Sequence, residues 1–454
     1  MLQRRECVFF VTTGNHDPAL PLGLVKKNTH FLAADGSRVT REDSCAGYVS
    51  QMECYTDFGF FPRKDDCYWE SPFTSYTYDK YAYEEACRES VLDKRTYTLC
   101  DSLTATDASY LVEPVDGLWL LAIDGGVYLP KEMKDGKWTY QGSSAGYNLV
   151  LKHKPFLLPW VRKVVEEARK RHKTLVAFSH YPLVDFNDGV SESVHRMWGD
   201  RRFDLHRVPE AEVSEAFLQA GLRLHFAGHM HVNDTGIWEG KDGKHLYNIQ
   251  VPSIATYVPA YKILTIENDE VFRVETVTLD TVPGFDSLFP LYRAEYQSDS
   301  LRGYSPVWNK EILSARTYGE FCDYQFRDLV RLRFIPRDLP ESWRACLDFT
   351  GARMLKAVSG EDKANNANWT GWCMKDLVLD VYRLRYAERL ALKDIPETRL
   401  AAYRYLFDRA RISPLRSVEV EIVNGLGTLF LAFLNGEPCQ NFVIDLEKDT
   451  ITGY

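Results

Sequence analysis

The sequence lacks several features that would each point to a particular class of protein. It has no apolar run near the ~20 residues that a membrane-spanning helix needs, so no membrane span is predicted. Its 10 cysteines form no Cys-x-x-Cys pair, which argues against a zinc knuckle or a thioredoxin-like site and leaves disulfides open. The sequence has no excess of positive charge, since 55 Lys and Arg against 64 Asp and Glu give a net charge of −9. No nucleic-acid partner is therefore predicted.

Strand-like and helix-like patterns alternate through the first half of the 454 residues. Short apolar runs that end in Gly, Asp, Ser or His are typical of buried strands that lead into functional loops. Helical spacing of apolar residues appears at Pro155–His172 and Pro209–Ala220. This alternation predicts an α/β layered fold. The four runs are Cys7–Thr12, Leu118–Ile123, Thr174–Phe178 and Arg223–Ala227.

Two further changes of pattern suggest how the chain is divided. After Gly240 the strands are closely spaced and predict a second sheet, which completes a first domain over 1–282. Within it, the aromatic and Cys-containing stretch of about 26–109 reads as a long insertion at the rim of a site. The strands of the second sheet are Leu246–Val251, Tyr261–Glu267 and Val271–Leu279.

The remaining residues, 283–454, predict a smaller C-terminal domain of mixed α+β structure and unknown role. Asp376–Leu390 and Glu397–Arg411 have helical patterns. The apolar runs Thr428–Leu434 and Asn441–Leu446 flank Asn435–Pro438, a pattern that predicts a terminal hairpin.

Three polar motifs follow three of the predicted strands: Gly14–Asp17 (GNHD), Ser179–Pro182 (SHYP) and Gly228–His231 (GHMH). In open α/β sheets, ligands bind beyond the carboxyl ends of the strands, so the three loops are expected to meet. Imidazole nitrogens and an amide oxygen suit borderline metal ions, and the chemistry indicated is metal-assisted hydrolysis. Taken singly, each motif also has a structural interpretation, as a turn, a cap or a half-buried histidine.

The ordered triple resembles the last three of the five signature blocks of the calcineurin-like metallophosphoesterases, with SHYP in place of the usual Gly-His-x-Pro. The resemblance covers roughly residues 1–279. It implies a double-sheet sandwich flanked by helices. It also implies an enzyme that hydrolyses phosphoric mono- or diesters with water activated by two divalent metal ions, with Mn, Fe or Zn expected.

The resemblance also implies a role for each residue of the motifs. Asn15, His180 and His229 would bind one metal ion, and His231 would bind its neighbour. His16 would face the phosphate-ester substrate as a general acid, and Asp17 would orient its imidazole.

The family opens with an Asp-x-His block and a Gly-Asp-x-x-Asp block upstream of GNHD, and the 13 residues before Gly14 contain neither. The sequence therefore predicts an incomplete N-terminus, an impaired site in the chain as given, and a localisation that stays open. Asp124, Asp185 and Asp188 are the candidates for replacement carboxylates. A strand-end turn for Asp124 and solvated loop positions for the other two are the favoured interpretations.

A second hypothesis belongs to a different functional class. The chain would be a catalytically inactive phosphoesterase-like scaffold whose C-terminal domain binds a protein partner. Retention of all three motifs counts against this hypothesis without excluding it.

Overall fold

The computed structural model describes residues 8–15, 26–32, 37–43, 48–100, 103–134, 137–141, 146–303 and 307–454. Sheets and helices alternate along the described chain, which confirms the predicted α/β class. The strands are β1 (Lys26–Leu32), β2 (Arg38–Asp43), β3 (Tyr68–Glu70), β4 (Thr96–Cys100), β5 (Leu103–Thr106), β6 (Tyr110–Val115), β7 (Leu118–Ala122), β8 (Leu129–Lys134), β9 (Lys137–Gln141), β10 (Thr174–Ser179), β11 (Leu224–Ala227), β12 (Asp234–Glu239), β13 (His245–Gln250), β14 (Ala260–Ile266), β15 (Val271–Thr278), β16 (Asn441–Asp445) and β17 (Thr450–Gly453).

The largest sheet has seven strands in the order β12-β13-β11-β10-β7-β6-β3. Its central strands β7, β10, β11 and β13 are parallel, and the flanking strands β12, β6 and β3 are antiparallel to their neighbours. In the register of β10 and β11, Ser179 lies opposite Ala227. The SHYP and GHMH loops therefore leave the sheet side by side.

A second, antiparallel sheet has four strands in the order β14-β15-β16-β17. Of the three strands predicted for a second sheet after Gly240, β14 and β15 belong to it. The assignment of Leu246–Val251 to it is wrong, because β13 pairs with β11 and β12 in the seven-stranded sheet. Strand β16 pairs with β15, with Val271 opposite Asp445, so residues from near the end of the chain complete the second sheet. The division of the chain at residue 282 stays a prediction, although this sheet contains strands from both sides of it. Apolar side chains of both sheets form one buried cluster, which includes Tyr247, Ile249, Phe272, Val274, Phe442 and Ile444.

Helices cover the outer face of the seven-stranded sheet. Trp160 and Val164 of the predicted helix at 155–172 are buried together with Phe217 of the helix predicted at 209–220. The α-helices are α1 (Tyr48–Cys54), α2 (Tyr83–Glu89), α3 (Val150–His153), α4 (Leu157–Lys170), α5 (Ser191–Trp198), α6 (Ala211–Gln219), α7 (Phe289–Leu301), α8 (Tyr318–Leu329), α9 (Ile335–Asp338), α10 (Glu341–Arg344), α11 (Gly351–Ser359), α12 (Ala367–Thr370), α13 (Met374–Ala387), α14 (Glu397–Arg411) and α15 (Val418–Leu434).

The C-terminal region is mainly helical, and α13 and α14 confirm the two helices predicted there. The predicted strand Thr428–Leu434 is wrong, because these residues are the last part of α15. The Ser417 side chain begins that helix by accepting a hydrogen bond from the Val420 backbone N–H. A short apolar run fits a buried helix as well as a strand, and α15 is buried against α13 and α14.

The predicted strand Cys7–Thr12 is also wrong over its described residues. Residues 8–15 form no strand. The Val11 N–H donates to the Phe58 carbonyl oxygen, and the Tyr110 hydroxyl donates to the Val11 carbonyl oxygen at 2.7 Å. A loop carbonyl oxygen and a tyrosine hydroxyl thus hydrogen-bond to this backbone in place of a strand.

Part of the predicted insertion belongs to the central sheet. Strand β3, from within residues 26–109, pairs with β6 at the sheet edge, and Trp69 in it is fully buried. No helix in the described ranges is both long and apolar enough to cross a bilayer. The eight cysteines within those ranges are all unpaired.

Candidate metal centre

Backbone pairing brings the SHYP and GHMH loops together. Strands β10 and β11 are parallel neighbours, and one residue beyond them the Gly228 N–H donates to the His180 carbonyl oxygen at 3.0 Å. This bond continues the pairing of the sheet into the two loops. The side chains of His180 and His229 are consequently held next to each other, with their ring centroids 4.8 Å apart.

Three of the predicted ligand atoms meet at one point. His180 Nε2 lies 2.8 Å from Asn15 Oδ1, His229 Nδ1 lies 3.2 Å from the same oxygen, and the two nitrogens are 3.0 Å apart. Ligand atoms ~2.0–2.1 Å from a tetrahedral metal ion are separated by about 3.3 Å. The triangle is thus close to the size that an ion requires, and its amide oxygen and imidazole nitrogens suit Zn²⁺, Mn²⁺ or Fe.

The backbone of the GHMH loop is unusual at both histidines. His229 and His231 have φ values of 61° and 58°, in the left-handed region that residues other than glycine seldom adopt. The buried Met230 lies between them, with His229 buried and the His231 side chain exposed. Such conformations cost of order 1–3 kcal/mol each and are concentrated at functional sites, which supports a role for this loop in ligand binding.

Tyr181 is a residue of the site that the sequence analysis did not single out. Its ring centroid is 4.9 Å from that of His180 and 4.8 Å from that of His229, and its side chain is buried. It therefore packs against both imidazoles and restricts their rotation. The signal in the sequence was its place within SHYP, where an aromatic residue directly follows a candidate ligand.

The other predicted site residues have different outcomes. His231 is two residues beyond His229 with an exposed side chain, and its role as ligand of a second ion stays a prediction. The proposed general acid His16 and its partner Asp17 lie outside the described residues. Their roles also stay predictions.

Asp124 forms the strand-end turn that was the favoured interpretation. Its Oδ1 accepts a hydrogen bond from the Gly126 N–H at 2.9 Å, and its Oδ2 accepts one from Ala108 at 3.2 Å. The buried ammonium of Lys154 lies 2.8 Å from the same Oδ2. The Thr13 hydroxyl, two residues before Asn15, is 3.4 Å from Asp124 Oδ1. Asp124 is therefore neutralised by lysine and supports the segment that carries Asn15.

For Asp188, the solvated-loop interpretation holds only in part, because the residue lies in a loop but is half-buried. Burial raises the pKa of its carboxyl to about 7, and its side chain belongs to an acidic cluster with Asp234 and Glu388. Burial likewise raises the pKa of Asp185 above its usual range.

The chain contains an Asp-x-His triplet at Asp204–His206, but it follows the SHYP loop in the sequence, whereas the family's block precedes GNHD. Both Asp204 oxygens accept hydrogen bonds from Arg337, at 2.9 and 3.1 Å. The triplet therefore does not supply the missing ligands. Among the residues with described side chains, Asp188, Asp234 and Glu388 form the group of three His, Cys or acidic residues that is compact enough to share an ion. This group includes none of the three predicted ligands.

Comparison with models of known protein families gave no match for the chain, and no curated protein matches it either. A functional proposal for this chain therefore rests on the geometry of the site and on the chemistry of its nitrogen and oxygen ligand atoms.

Proposed function

We propose that this chain is a metal-dependent hydrolase of phosphoric esters. The observation that carries the proposal is the meeting of Asn15 Oδ1, His180 Nε2 and His229 Nδ1 within 3.2 Å of one another. The three residues come from distant parts of the chain, and local packing of one segment does not account for their meeting.

The proposed fold is the double-sheet sandwich of the calcineurin-like metallophosphoesterases. Two packed sheets, outer helices and polar loops beyond the carboxyl ends of parallel strands support it. The loops occupy the position where α/β sheets commonly bind ligands.

A divalent ion held by Asn15, His180 and His229 would polarise a phosphoryl oxygen and lower the pKa of a bound water. The protein's own residues do the remaining work. The Thr13–Asp124 hydrogen bond fixes the segment before Asn15, and Tyr181 holds the two imidazoles. His16 would protonate the leaving-group oxygen, with Asp17 orienting its ring.

The test measures metal binding and turnover in separate assays. Bound Mn²⁺ is measured by equilibrium dialysis, and hydrolysis is followed with p-nitrophenyl phosphate and bis(p-nitrophenyl) phosphate. Loss of an outer-sphere partner of a metal ligand typically costs 10–100-fold in affinity, so His180→Ala and Asn15→Ala should each cost at least about 100-fold. His195→Ala is the matched control, because it removes an exposed histidine. Unchanged Mn²⁺ binding and turnover in both site variants would overturn the proposal.

One observation favours the inactive scaffold as a second candidate. The three converging donors are neutral, and the residues with described side chains bring no acidic group close enough to share an ion with His180 and His229. No carboxylate among these residues would offset the charge of a dication bound by both histidines. Saturable Mn²⁺ binding without turnover of either ester would support the scaffold over an active hydrolase in this chain, and turnover that His180→Ala abolishes would support the hydrolase.

A further inference from the structure

A second group of potential ligands lies away from the histidine site. Ligand oxygens of Asp188, Asp234 and Glu388 all lie within 4.8 Å of one another. Asp188 is in the loop after SHYP, Asp234 begins β12, and Glu388 directly follows α13. Glu388 and Asp234 are almost completely buried, at 4% and 2% exposure. The Gly436 backbone packs directly against this group, since a Cβ at this glycine would lie 2.5 Å from Asp188 Oδ1.

The group carries more negative charge than its surroundings offset. The cation that acts on this group is Lys262. Its ammonium donates hydrogen bonds to neutral oxygens of Asn233, Thr276 and Cys439 at 2.7–2.9 Å. When the three carboxylates are ionised, one lysine leaves an excess of two negative charges, to which Asp185 and Glu437 add, and a bound dication would offset them.

An independent observation at the same place favours a bound ion. Gln250 is fully buried, and neither atom of its side-chain amide has a hydrogen-bond partner among the described residues. Gln250 lies directly opposite Asp234 in the β12–β13 pair. Directly opposed residues project from the same face of a sheet, with Cβ atoms ~4.5–5.5 Å apart. A buried amide without partners costs about 1–3 kcal/mol, and a bound ion beside Asp234 would relieve this cost by taking the amide oxygen as a ligand.

We propose that Asp188, Asp234 and Glu388, together with the side-chain oxygen of Gln250, form a binding site for Ca²⁺. All of the donors are oxygens, which hard dications prefer. Ca²⁺ accepts about 6–8 oxygen ligands in irregular geometry, including carboxylate and Gln oxygens, whereas Mg²⁺ demands a near-ideal octahedron and keeps several waters. A buried set of protein oxygens therefore suits Ca²⁺ better than Mg²⁺.

The site would join three parts of the molecule. Glu388 belongs to the C-terminal helical region, Asp234 follows His231 by three residues, and Asp188 belongs to the loop that begins at SHYP. A bound Ca²⁺ would thus tie the helical region to both histidine-bearing loops. This proposal does not depend on the proposed hydrolase function.

The experiment uses the full chain, freed of metal with a chelator and then titrated with CaCl₂. Calorimetry should show one saturable Ca²⁺ site, and the melting temperature should rise as the site fills. Glu388→Gln and Asp234→Asn should each weaken Ca²⁺ binding at least 10-fold, while the exposed control Glu212→Gln keeps the wild-type affinity. His180→Ala should also keep it, which separates this site from the histidine site.

The competing explanation is a cluster that shares protons and binds no ion. In that case Ca²⁺ leaves the melting temperature unchanged, and Glu388→Gln raises it by removing a buried charge. Absence of saturable Ca²⁺ binding by the unmodified chain overturns the proposal without any variant. Tighter binding of Mg²⁺ than of Ca²⁺ would overturn the choice of ion.

Discussion

Replacing Lys154 with methionine should destabilise the protein by about 3–5 kcal/mol. The Lys154 ammonium lies 2.8 Å from Asp107 Oδ2 and 2.8 Å from Asp124 Oδ2, and it donates to the Asp124 carbonyl oxygen at 2.8 Å. All three side chains are at most 2% exposed. Removing the cation leaves two carboxylates in a region that water does not reach, with the buried Arg95 as the remaining cation that acts on both.

The magnitude follows from that burial. Removal of one partner of a buried ion pair costs about 3–5 kcal/mol because the remaining charge has no compensation. The total stability of a domain is about 5–15 kcal/mol, so the loss is a large fraction of it. The substitution should also weaken metal binding through Asn15, because Asp124 holds Thr13 in the same segment.

Urea unfolding measures the effect. Lys152→Met is the matched control, since Lys152 is exposed on the same short helix and should change the free energy of unfolding by less than about 0.5 kcal/mol. Adding Asp107→Asn to Lys154→Met should restore part of the stability, because one carboxylate then remains to offset the buried Arg95. A Lys154→Met protein with a free energy of unfolding within about 1 kcal/mol of the wild-type value would refute this account.

Two further predictions concern pH and packing. Burial lowers the pKa of His225 to about 4 in the folded protein, against ~6.5 in the unfolded chain. The unfolded chain therefore takes up a proton at a higher pH than the folded one, and His225 should remove up to about 3 kcal/mol of stability as pH falls from 6.5 to 4. Unfolding free energies across this range should fall less steeply for His225→Gln, and equal slopes would contradict the assignment. Gly351→Ala would place a Cβ 2.2 Å from the buried Trp372 ring and should lower stability by about 1–3 kcal/mol, measured as a shift of the urea midpoint. An unchanged midpoint would show that the ring can move away.

Local patterns explain which parts of the fold could be predicted from the sequence. Strands β7, β10 and β11 are apolar runs that stop at polar residues, and α4 has apolar residues at helical spacing. The meeting of His180 and His229 follows from these patterns, because parallel strands bring their carboxyl ends to one edge. Here the information lies within a few residues of each element.

Long-range contacts explain what could not be predicted. Glu388 joins Asp188 and Asp234 from a region about 150–200 residues further along the chain, and the local pattern around it carries no sign of that contact. The run Thr428–Leu434 is helical because its neighbours in α13 and α14 bury it, which periodicity in seven residues does not reveal. The sequence around Lys154 does not reveal that its side chain is buried, because its partners Asp107 and Asp124 are distant along the chain.

The pairing of β15 with β16 bears on how the protein is made in the cell. Thr276 and Asn441 are bonded across 165 residues of chain, so β15 leaves the ribosome well before its partner. At about 5–20 residues per second, the interval is roughly 10–30 s. Throughout that time the nascent sheet has an open edge, which is a template for aggregation. We expect the newborn chain to need a chaperone until β16 emerges.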